Sequence, residues 1–300
     1  MSSNVKKPDI TADVVTCLLR EQFPHPTHLP VTPMDVDGWD NSSFRVGSTH
    51  TARLPTDDGY VPAVAKEHRW LPVLGPQLPV PIPVPVALGA PGCGFPRPWS
   101  VYRWLPGDTA SIDHVTDLDT FARDVARFLN ALRAVDPESG PAAGAHSLGR
   151  GGPLSLYDAG VHACLDALPA HITPECVLDT WDAALSSLLD TEPCWFHGDM
   201  APSNLLVRDG RLAAVIDFGT CGVGDPACDL VIAWTFLDAD ARHTFRGQLD
   251  VDAGTWARGR GWALWKALLT LREADQDAAV HRYGWRYSAA DIITDLTEDR

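Results

Sequence analysis

No stretch of this sequence approaches the roughly 18 consecutive apolar residues that a membrane-spanning helix requires. The segment Met1–Asp9 is polar, contains two lysines and is not followed by an apolar run. This pattern indicates that no signal peptide is present. We therefore expect a cytoplasmic protein without a membrane partner.

Basic residues are scarce. The chain has 24 Lys and Arg against 39 Asp and Glu, which gives a formal net charge of -15. A nucleic-acid partner requires a basic surface, so this composition argues against one. It is compatible with a cationic ligand, although solvated surface acids explain most of the charge equally well.

The cysteines form no Cys-x-x-Cys pair. There are seven of them, at positions 17, 93, 164, 176, 194, 221 and 228. An odd number at scattered positions is typical of reduced thiols and not of a disulfide framework or a zinc site. We expect all seven to be free.

Hydrophobic periodicity divides the chain into a strand-rich first third and a helix-rich remainder. This predicts an α+β fold with two lobes, at 1–105 and 106–300. Within the first lobe, the proline-rich residues 72–98 are expected to form an extended or edge-strand connector. Helices are predicted at 10–21, 60–71, 116–135, 174–190, 225–238, 253–273 and 288–296, and β segments at 44–46, 51–54, 99–105, 194–196, 204–207 and 212–216.

One segment combines three residues suited to phosphoryl transfer. Such a reaction needs a carboxylate that orients the attacking hydroxyl and takes up its proton, and oxygen ligands for Mg²⁺. Asp199 and Asn204 lie five residues apart on a predicted loop between strands, and Asp217 follows thirteen residues later in Asp-Phe-Gly. Protein kinases space their catalytic Asp and Asn in the same way. The set therefore predicts a catalytic base and a magnesium site.

Other interpretations of these residues remain open. His197 and Asp199 could be two metal ligands of a hydrolase, but no His-x-His pair accompanies them. Asp-Phe-Gly alone is also an ordinary turn after a strand. For His197 we favour a structural role that orients the loop over direct catalysis.

The motif from His197 to Asn204, with Gly198 where protein kinases have Arg, resembles the aminoglycoside and macrolide phosphotransferases and their choline and homoserine kinase relatives. The continuation from Gly224 to Leu230 is also similar to that family. The resemblance covers most of residues 35–275. It implies a bilobal protein-kinase-like fold, ATP or GTP as donor, Mg²⁺, and O-phosphorylation of a small hydroxylated molecule.

By this resemblance Asp199 is the catalytic base, and Asn204 and Asp217 are magnesium ligands. Ser203 would support the metal or phosphates, although a loop serine is also a common backbone cap. Asp225 and Asp229 correspond to acceptor-side or structural acids. For Asp225 the alternative is a helix N-cap.

The nucleotide-binding residues are expected in the first lobe. The segment 38–46 lies where a phosphate-binding loop belongs, and its Ser42 and Ser43 hydroxyls could bind phosphate oxygens. Arg53 would be the strand cation, at a position where protein kinases have lysine. Glu67 is its expected partner, because it is the only glutamate between Glu21 and Glu138.

An adenine-binding hinge is expected at 101–105. Tyr102 would stand at its entrance, and the Arg103 carbonyl and Leu105 amide would bind the base edge. Since backbone groups make these contacts, the side chains support the assignment only weakly.

The acceptor site is the least specified part. Late acids and tryptophans could bind a polyamine sugar, although such tryptophans are more often helix core. We expect an aminoglycoside-type or other antibiotic as acceptor. The alternatives are a kinase of a choline-, homoserine- or sugar-like metabolite, or a nucleotide-binding pseudokinase. We expect the protein to be a monomer or a weak dimer. The side chains in question are Asp225, Asp229, Glu273, Asp275, Asp277, Trp256, Trp262 and Trp265.

Overall fold

The computed structural model describes residues 10–23, 29–34, 40–187 and 192–298. The chain divides into two compact units: Met1–Pro76 with Ile82–Leu105, and Gln77–Pro81 with Pro106–Arg300. None of the helices in the described ranges is long and apolar enough to span a bilayer. The expectations for Met1–Asp9 and for Gly38 lie outside the described residues.

The first unit contains an antiparallel sheet with the strand order β1-β2-β3-β5-β4. The order places β3, which carries Arg53, in the middle of the sheet. The elements are α1 (Ala12–Gln22), β1 (Val31–Pro33), β2 (Asn41–Val46), β3 (His50–Pro55), α2 (Val61–Leu74), β4 (Pro85–Gly89) and β5 (Trp99–Arg103).

Alternation along the strands gives this sheet two different faces. One face packs on α1 and forms an apolar core that includes Leu18, Phe44, Leu54 and Trp99. The other face contacts α2, where His68 Nε2 lies 3.0 Å from Ser100 Oγ. A side chain at an odd-numbered position of β3 therefore points away from the apolar core.

The expectation of seven free thiols is wrong. Cys17 on α1 and Cys93 after β4 form a disulfide, with their Cα atoms 6.1 Å apart. The two residues are separated by 76 positions, so no local spacing marks the pair, and only the packing of α1 on the sheet brings them together. The remaining five cysteines are free.

The second unit is mostly helical. Its strands form two small sheets, β6-β8-β9 and β10-β7. The elements are β6 (Asp108–Thr109), α3 (Leu118–Ala134), α4 (Asp158–His162), α5 (Pro174–Ser186), β7 (Cys194–Phe196), β8 (Leu205–Arg208), β9 (Arg211–Val215), β10 (Gly222–Gly224), α6 (Ile232–Thr235), α7 (Ala239–Gln248), α8 (Ala253–Leu271), α9 (Gln276–Tyr283) and α10 (Ala289–Glu298).

Helix α8 is the centre of this unit, and most of its side chains are buried. Two glycines allow close packing on it. A Cβ at Gly259 would lie 2.8 Å from Leu230 Cβ, and a Cβ at Gly261 would lie 2.6 Å from Ala184 Cβ. The segment Pro226–Val231 can therefore run directly against the helix.

Several element boundaries differ from the sequence prediction. Helix α3 starts after Asp117, whose side chain accepts a hydrogen bond from the Thr120 amide, and not at Thr116. The predicted helix 225–238 is a 3-10 segment, Pro226–Val231, followed by the short α6. Helices α7 and α9 were not predicted, because their mostly polar sequences show only a weak apolar stripe.

Candidate active site

The loop between β7 and β8 carries His197, Asp199 and Asn204. Its end is joined to the residue before Asp217, because the Ile216 amide donates to the Asn204 carbonyl over 2.9 Å. The Ile216 carbonyl in turn lies 2.9 Å from His197 Nε2. The hairpin β8–β9 thus returns Asp217 to the loop, as the spacing predicts.

His197 orients this loop from inside the unit. It is fully buried, and its Nδ1 accepts a hydrogen bond from the Asp199 amide at 3.2 Å. Its Nε2 therefore carries the proton and donates to Ile216. Both ring nitrogens form hydrogen bonds with backbone atoms, which favours the structural role over direct catalysis.

Asp229 holds the same loop from the other side. Its carboxylate accepts hydrogen bonds from the amides of His197, at 2.8 Å, and Gly198, at 2.7 Å. Burial raises the pKa of this carboxyl, against the opposing effects of His197 and the two amides. An acid that is fully buried and bound to the backbone cannot face an acceptor.

Asp225 is also structural. It forms a buried ion pair with Arg258 on α8, with Nε to Oδ2 at 2.6 Å, and its side chain accepts from the Ala227 amide. The N-cap alternative therefore describes its position. Ser203 lies half-buried in the 3-10 turn Pro202–Asn204, directly before the magnesium candidate Asn204.

Lys266 on α8 contacts the proposed base, with Nζ 2.6 Å from Asp199 Oδ1. Burial raises the pKa of Asp199, but the charge and hydrogen bond of Lys266 outweigh it, so the pKa lies below its usual value. Sequence reasoning missed Lys266. The available signal was a single charge within the otherwise apolar run 262–269 of a helix.

Asn204 and Asp217 carry side-chain oxygen atoms of the kind that bind a magnesium ion. Asn204 Nδ2 donates to the Asp199 carbonyl, at 2.9 Å, and to Asp199 Oδ2, at 3.1 Å. These hydrogen bonds fix the orientation of the amide, and they use its Nδ2 and not its Oδ1. Asp217 adopts a left-handed conformation with φ 65°, at the residue where the chain turns out of β9. Carboxylate and amide oxygens are the ligands that Mg²⁺ prefers.

In the first unit, Arg53 lies between two carboxylates. Its guanidinium is 3.6 Å from Glu67 Oε1 and 3.5 Å from Asp40 Oδ2. The predicted pair of Arg53 and Glu67 is therefore present in the structure. Asp40 was not expected there, because it precedes β2 in a segment that sequence reasoning treated as loop.

Ser42 and Ser43 both lie within β2, which begins earlier than predicted. Ser43 pairs directly with Arg53 in the antiparallel register, so the two side chains share a face. Ser42 pairs with Leu54 and is buried on the core face. Only Ser43 is thus placed to act together with Arg53.

Tyr102, predicted to stand at the entrance of the hinge, lies in β5. Its side chain is buried, and its hydroxyl donates to Glu67 Oε2. Burial, followed by the charge of Glu67, raises the pKa of this hydroxyl well above its usual value. Arg103 ends β5 and Leu105 ends the unit, and their roles remain predictions.

A pocket in the second unit opens beside Asp199. The late acids do not line it: Glu273, Asp275 and Asp277 are exposed, and Asp275 caps α9. Trp256 packs on Trp234 in the core. Of the expected set of acids and tryptophans, only Trp262 and Trp265 are among the described residues that line this pocket. The described lining residues are Arg150, Gly198, Asp199, Met200, Cys228, Val231, Trp262, Trp265 and Lys266.

A family of known proteins matches most of this chain. Residues 34–263 match the model of a family described as the phosphotransferase enzyme family. An aminoglycoside 3'-phosphotransferase from Escherichia coli is 36% identical over 59 residues, which are 19% of this chain and 22% of that enzyme. The match thus spans about a fifth of the length of the Escherichia coli enzyme.

Solved structures are similar over nearly the whole chain. The GDP complex of aminoglycoside 2'-phosphotransferase-IIIa has a TM-score of 0.71 at 18% identity, covering 97% of this chain and 99% of that one. Apo macrolide 2'-phosphotransferase MphH from Brachybacterium faecium has a TM-score of 0.61 at 22% identity, covering 91% and 97%. These similarities confirm the kinase-like α+β fold.

Proposed function

The chain belongs to the phosphotransferase enzyme family, and from this we propose that it transfers the γ-phosphoryl group of ATP or GTP to a hydroxyl of a small molecule. The observation that carries the proposal is the arrangement of Asp199, Asn204 and Asp217. Their loop is fixed by His197 and Asp229, and two hydrogen bonds join Asn204 to Asp199.

Asp199 would act as the base. Its side chain is 32% exposed, so a substrate hydroxyl can reach it. The lowered pKa keeps the carboxylate ionised and able to accept the hydroxyl proton. Lys266 and Asn204 hold the carboxylate in place, so the hydroxyl meets a pre-oriented acceptor.

Asn204 and Asp217 would hold Mg²⁺, which when bound neutralises phosphate charge. In the first unit, Arg53 would bind phosphate oxygens, and Glu67 and Tyr102 would hold its side chain in position. The nucleotide complexes among the structural relatives support this assignment. Ser43 shares the face of Arg53 and is the better placed of the two serines.

The relatives suggest an antibiotic as acceptor, since they are named as aminoglycoside and macrolide phosphotransferases. Because one fold can serve many acceptors, a metabolite is the second candidate. The pseudokinase alternative is disfavoured, because the chain retains all three residues of the proposed set.

Replacement of the base tests the proposal. Asp199→Asn should lower kcat by about 10²–10⁴-fold, the usual contribution of general acid–base catalysis. Nucleotide affinity, measured by calorimetry with Mg²⁺, should persist. The matched control is Asp182→Ala, since Asp182 is exposed on α5. Unchanged phosphoryl transfer in Asp199→Asn would contradict the assignment of the base.

A further inference from the structure

The pocket beside Asp199 is cationic. Of the described residues that line it, Asp199 is the one acid, whereas Arg150 and Lys266 carry positive charges. Lys266 is paired with Asp199 at 2.6 Å, so these two charges compensate each other. The charge of Arg150 then determines the net sign of the pocket.

Arg150 is held in a defined orientation by aromatic side chains. Its guanidinium carbon lies 4.5 Å from the ring centroid of Trp265 and 5.5 Å from that of Trp262. Its Nη1 donates to the Tyr157 hydroxyl at 3.2 Å. Stacking of this kind orients a guanidinium without neutralising it.

The backbone next to Arg150 is fixed as well. The following residue, Gly151, has φ 73°, and its carbonyl accepts the Asp225 amide at 2.8 Å. A Cβ at Gly151 would lie 2.0 Å from Phe196 Cε1. The strand that leads into the catalytic loop therefore packs on the segment that carries Arg150.

No ion pair between Arg150 and a carboxylate is present in the described part of the chain, and the hydrogen bond it donates there goes to a neutral hydroxyl. A cation fixed in this way repels a positively charged ligand and attracts a negatively charged one. Guanidinium groups bind carboxylates through two parallel hydrogen bonds. The pocket thus has the charge for an acidic ligand, and Arg150 in its lining is a side chain of the type that binds carboxylates.

We propose that the acceptor is a hydroxylated molecule with a carboxylate, which Arg150 binds while a hydroxyl of the same molecule is directed at Asp199. This inference rests on the proposed phosphotransferase function. In the reaction, the acceptor oxygen bonds to the γ-phosphorus and its proton passes to Asp199. The bond from the γ-phosphorus to the bridging oxygen breaks, and a nucleoside diphosphate leaves. Polycationic aminoglycosides are disfavoured by the same charges.

Acceptors matched in shape but not in charge provide the test. Glucuronate, glucose and glucosamine share ring hydroxyls, and lactate, lactamide and 1-amino-2-propanol form an open-chain set. Binding of each would be measured by calorimetry to the protein loaded with nucleoside diphosphate and Mg²⁺. We expect the carboxylate of at least one set to bind at least ten-fold more tightly than its neutral and cationic forms.

Substitutions of Arg150 assign the preference to this residue. Arg150→Gln should remove the advantage of the carboxylate, and Arg150→Glu should reverse it in favour of the amine. Arg150→Lys should retain part of it, because the charge remains without the bidentate geometry. The control is Arg208→Gln, because Arg208 is exposed at the end of β8. This substitution should leave the preference for the carboxylate unchanged.

Binding and turnover separate the two proposals. Tighter binding of the cationic or neutral forms, no selectivity among them, or a preference unaffected by Arg150→Gln would overturn the inference about the acceptor. The phosphotransferase proposal is tested independently, by release of nucleoside diphosphate in the presence of acceptors and by its loss in Asp199→Asn.

Discussion

At the scale of single residues, the second unit places two ion pairs of different exposure close to one loop. Arg258 and Asp225 are both only 7% exposed, and their pair joins α8 to the start of the segment 226–231. The side chain of Asp199, paired with Lys266, is 32% exposed and remains open to ligands. The first pair stabilises the segment that packs against the loop, whereas in the second pair Lys266 lowers the pKa of the proposed base.

Replacement of Lys266 should shift the pH dependence of the reaction. The cation lowers the pKa of Asp199, so Lys266→Met should raise it and move the acidic limb of kcat/KM to higher pH. The stability of the folded protein should also depend on this ion pair. The pair stabilises the protein at pH values above the pKa of the unfolded carboxyl, and this contribution is lost as the pH falls through the lowered pKa of the folded state.

The measurement is the pH profile of kcat/KM for wild type, Lys266→Met and Lys266→Arg, with circular dichroism to verify folding at each pH. Lys266→Arg retains the charge and should keep the acidic limb near that of wild type. Identical acidic limbs in wild type and Lys266→Met would show that Lys266 does not control the base.

At the scale of elements, α8 connects packing to chemistry. Gly259 allows the segment Pro226–Val231 to approach the helix, and Asp229 in that segment binds the amides of the catalytic loop. A displacement of this segment would therefore move the loop itself. Close packing at Gly259 is one condition for the position of Asp199.

Gly259→Ala should reduce both stability and turnover. The added Cβ would approach Leu230 Cβ to 2.8 Å, which forces a shift. Overpacking costs about 1–3 kcal/mol, which exceeds the gain of up to about 1 kcal/mol in helix propensity. Urea unfolding and kcat would be measured together, and a loss of stability with unchanged kcat would contradict the link to the loop.

Gly247→Ala is the matched control within α7. A Cβ at Gly247 would have no neighbour within 4 Å, so the substitution adds helix propensity without a clash. It should leave kcat unchanged and stabilise the protein by at most about 1 kcal/mol.

At the scale of the whole molecule, the sequence predicts those features of the site that depend on the spacing of residues within one contiguous segment. The loop and hairpin that carry Asp199, Asn204 and Asp217 are contiguous, so their residue spacing determines their proximity. Arg53 and Glu67 could be paired because the predicted first lobe contains a single glutamate near a strand cation.

Features that depend on contacts between distant segments could not be predicted in this way. Lys266 reaches Asp199 across 67 positions, and Cys17 reaches Cys93 across 76. The charge of the pocket beside Asp199 could not be predicted for the same reason. Late acids were counted as its lining, whereas Arg150, from a segment interpreted only as a loop, faces it.

The disulfide gives a prediction for the intact protein. Alkylation of the denatured, unreduced chain should label the five free cysteines, and reduction should make all seven reactive. Reduction should destabilise the first unit by about 2–4 kcal/mol, since it frees a long loop of the unfolded chain. Cys17→Ser should reproduce this loss without reductant, and labelling of seven cysteines before reduction would contradict the disulfide.

The assignment of Gln77–Pro81 to the second unit has a consequence for dissecting the protein. The Val215 amide, at the end of β9, donates to the Pro81 carbonyl at 3.1 Å. A fragment that begins at Pro106 would therefore lack the partner of this amide, just before Asp217. No single cut yields both units intact, so a separately expressed second unit needs the pentapeptide 77–81 supplied by circular permutation or as a covalently attached segment.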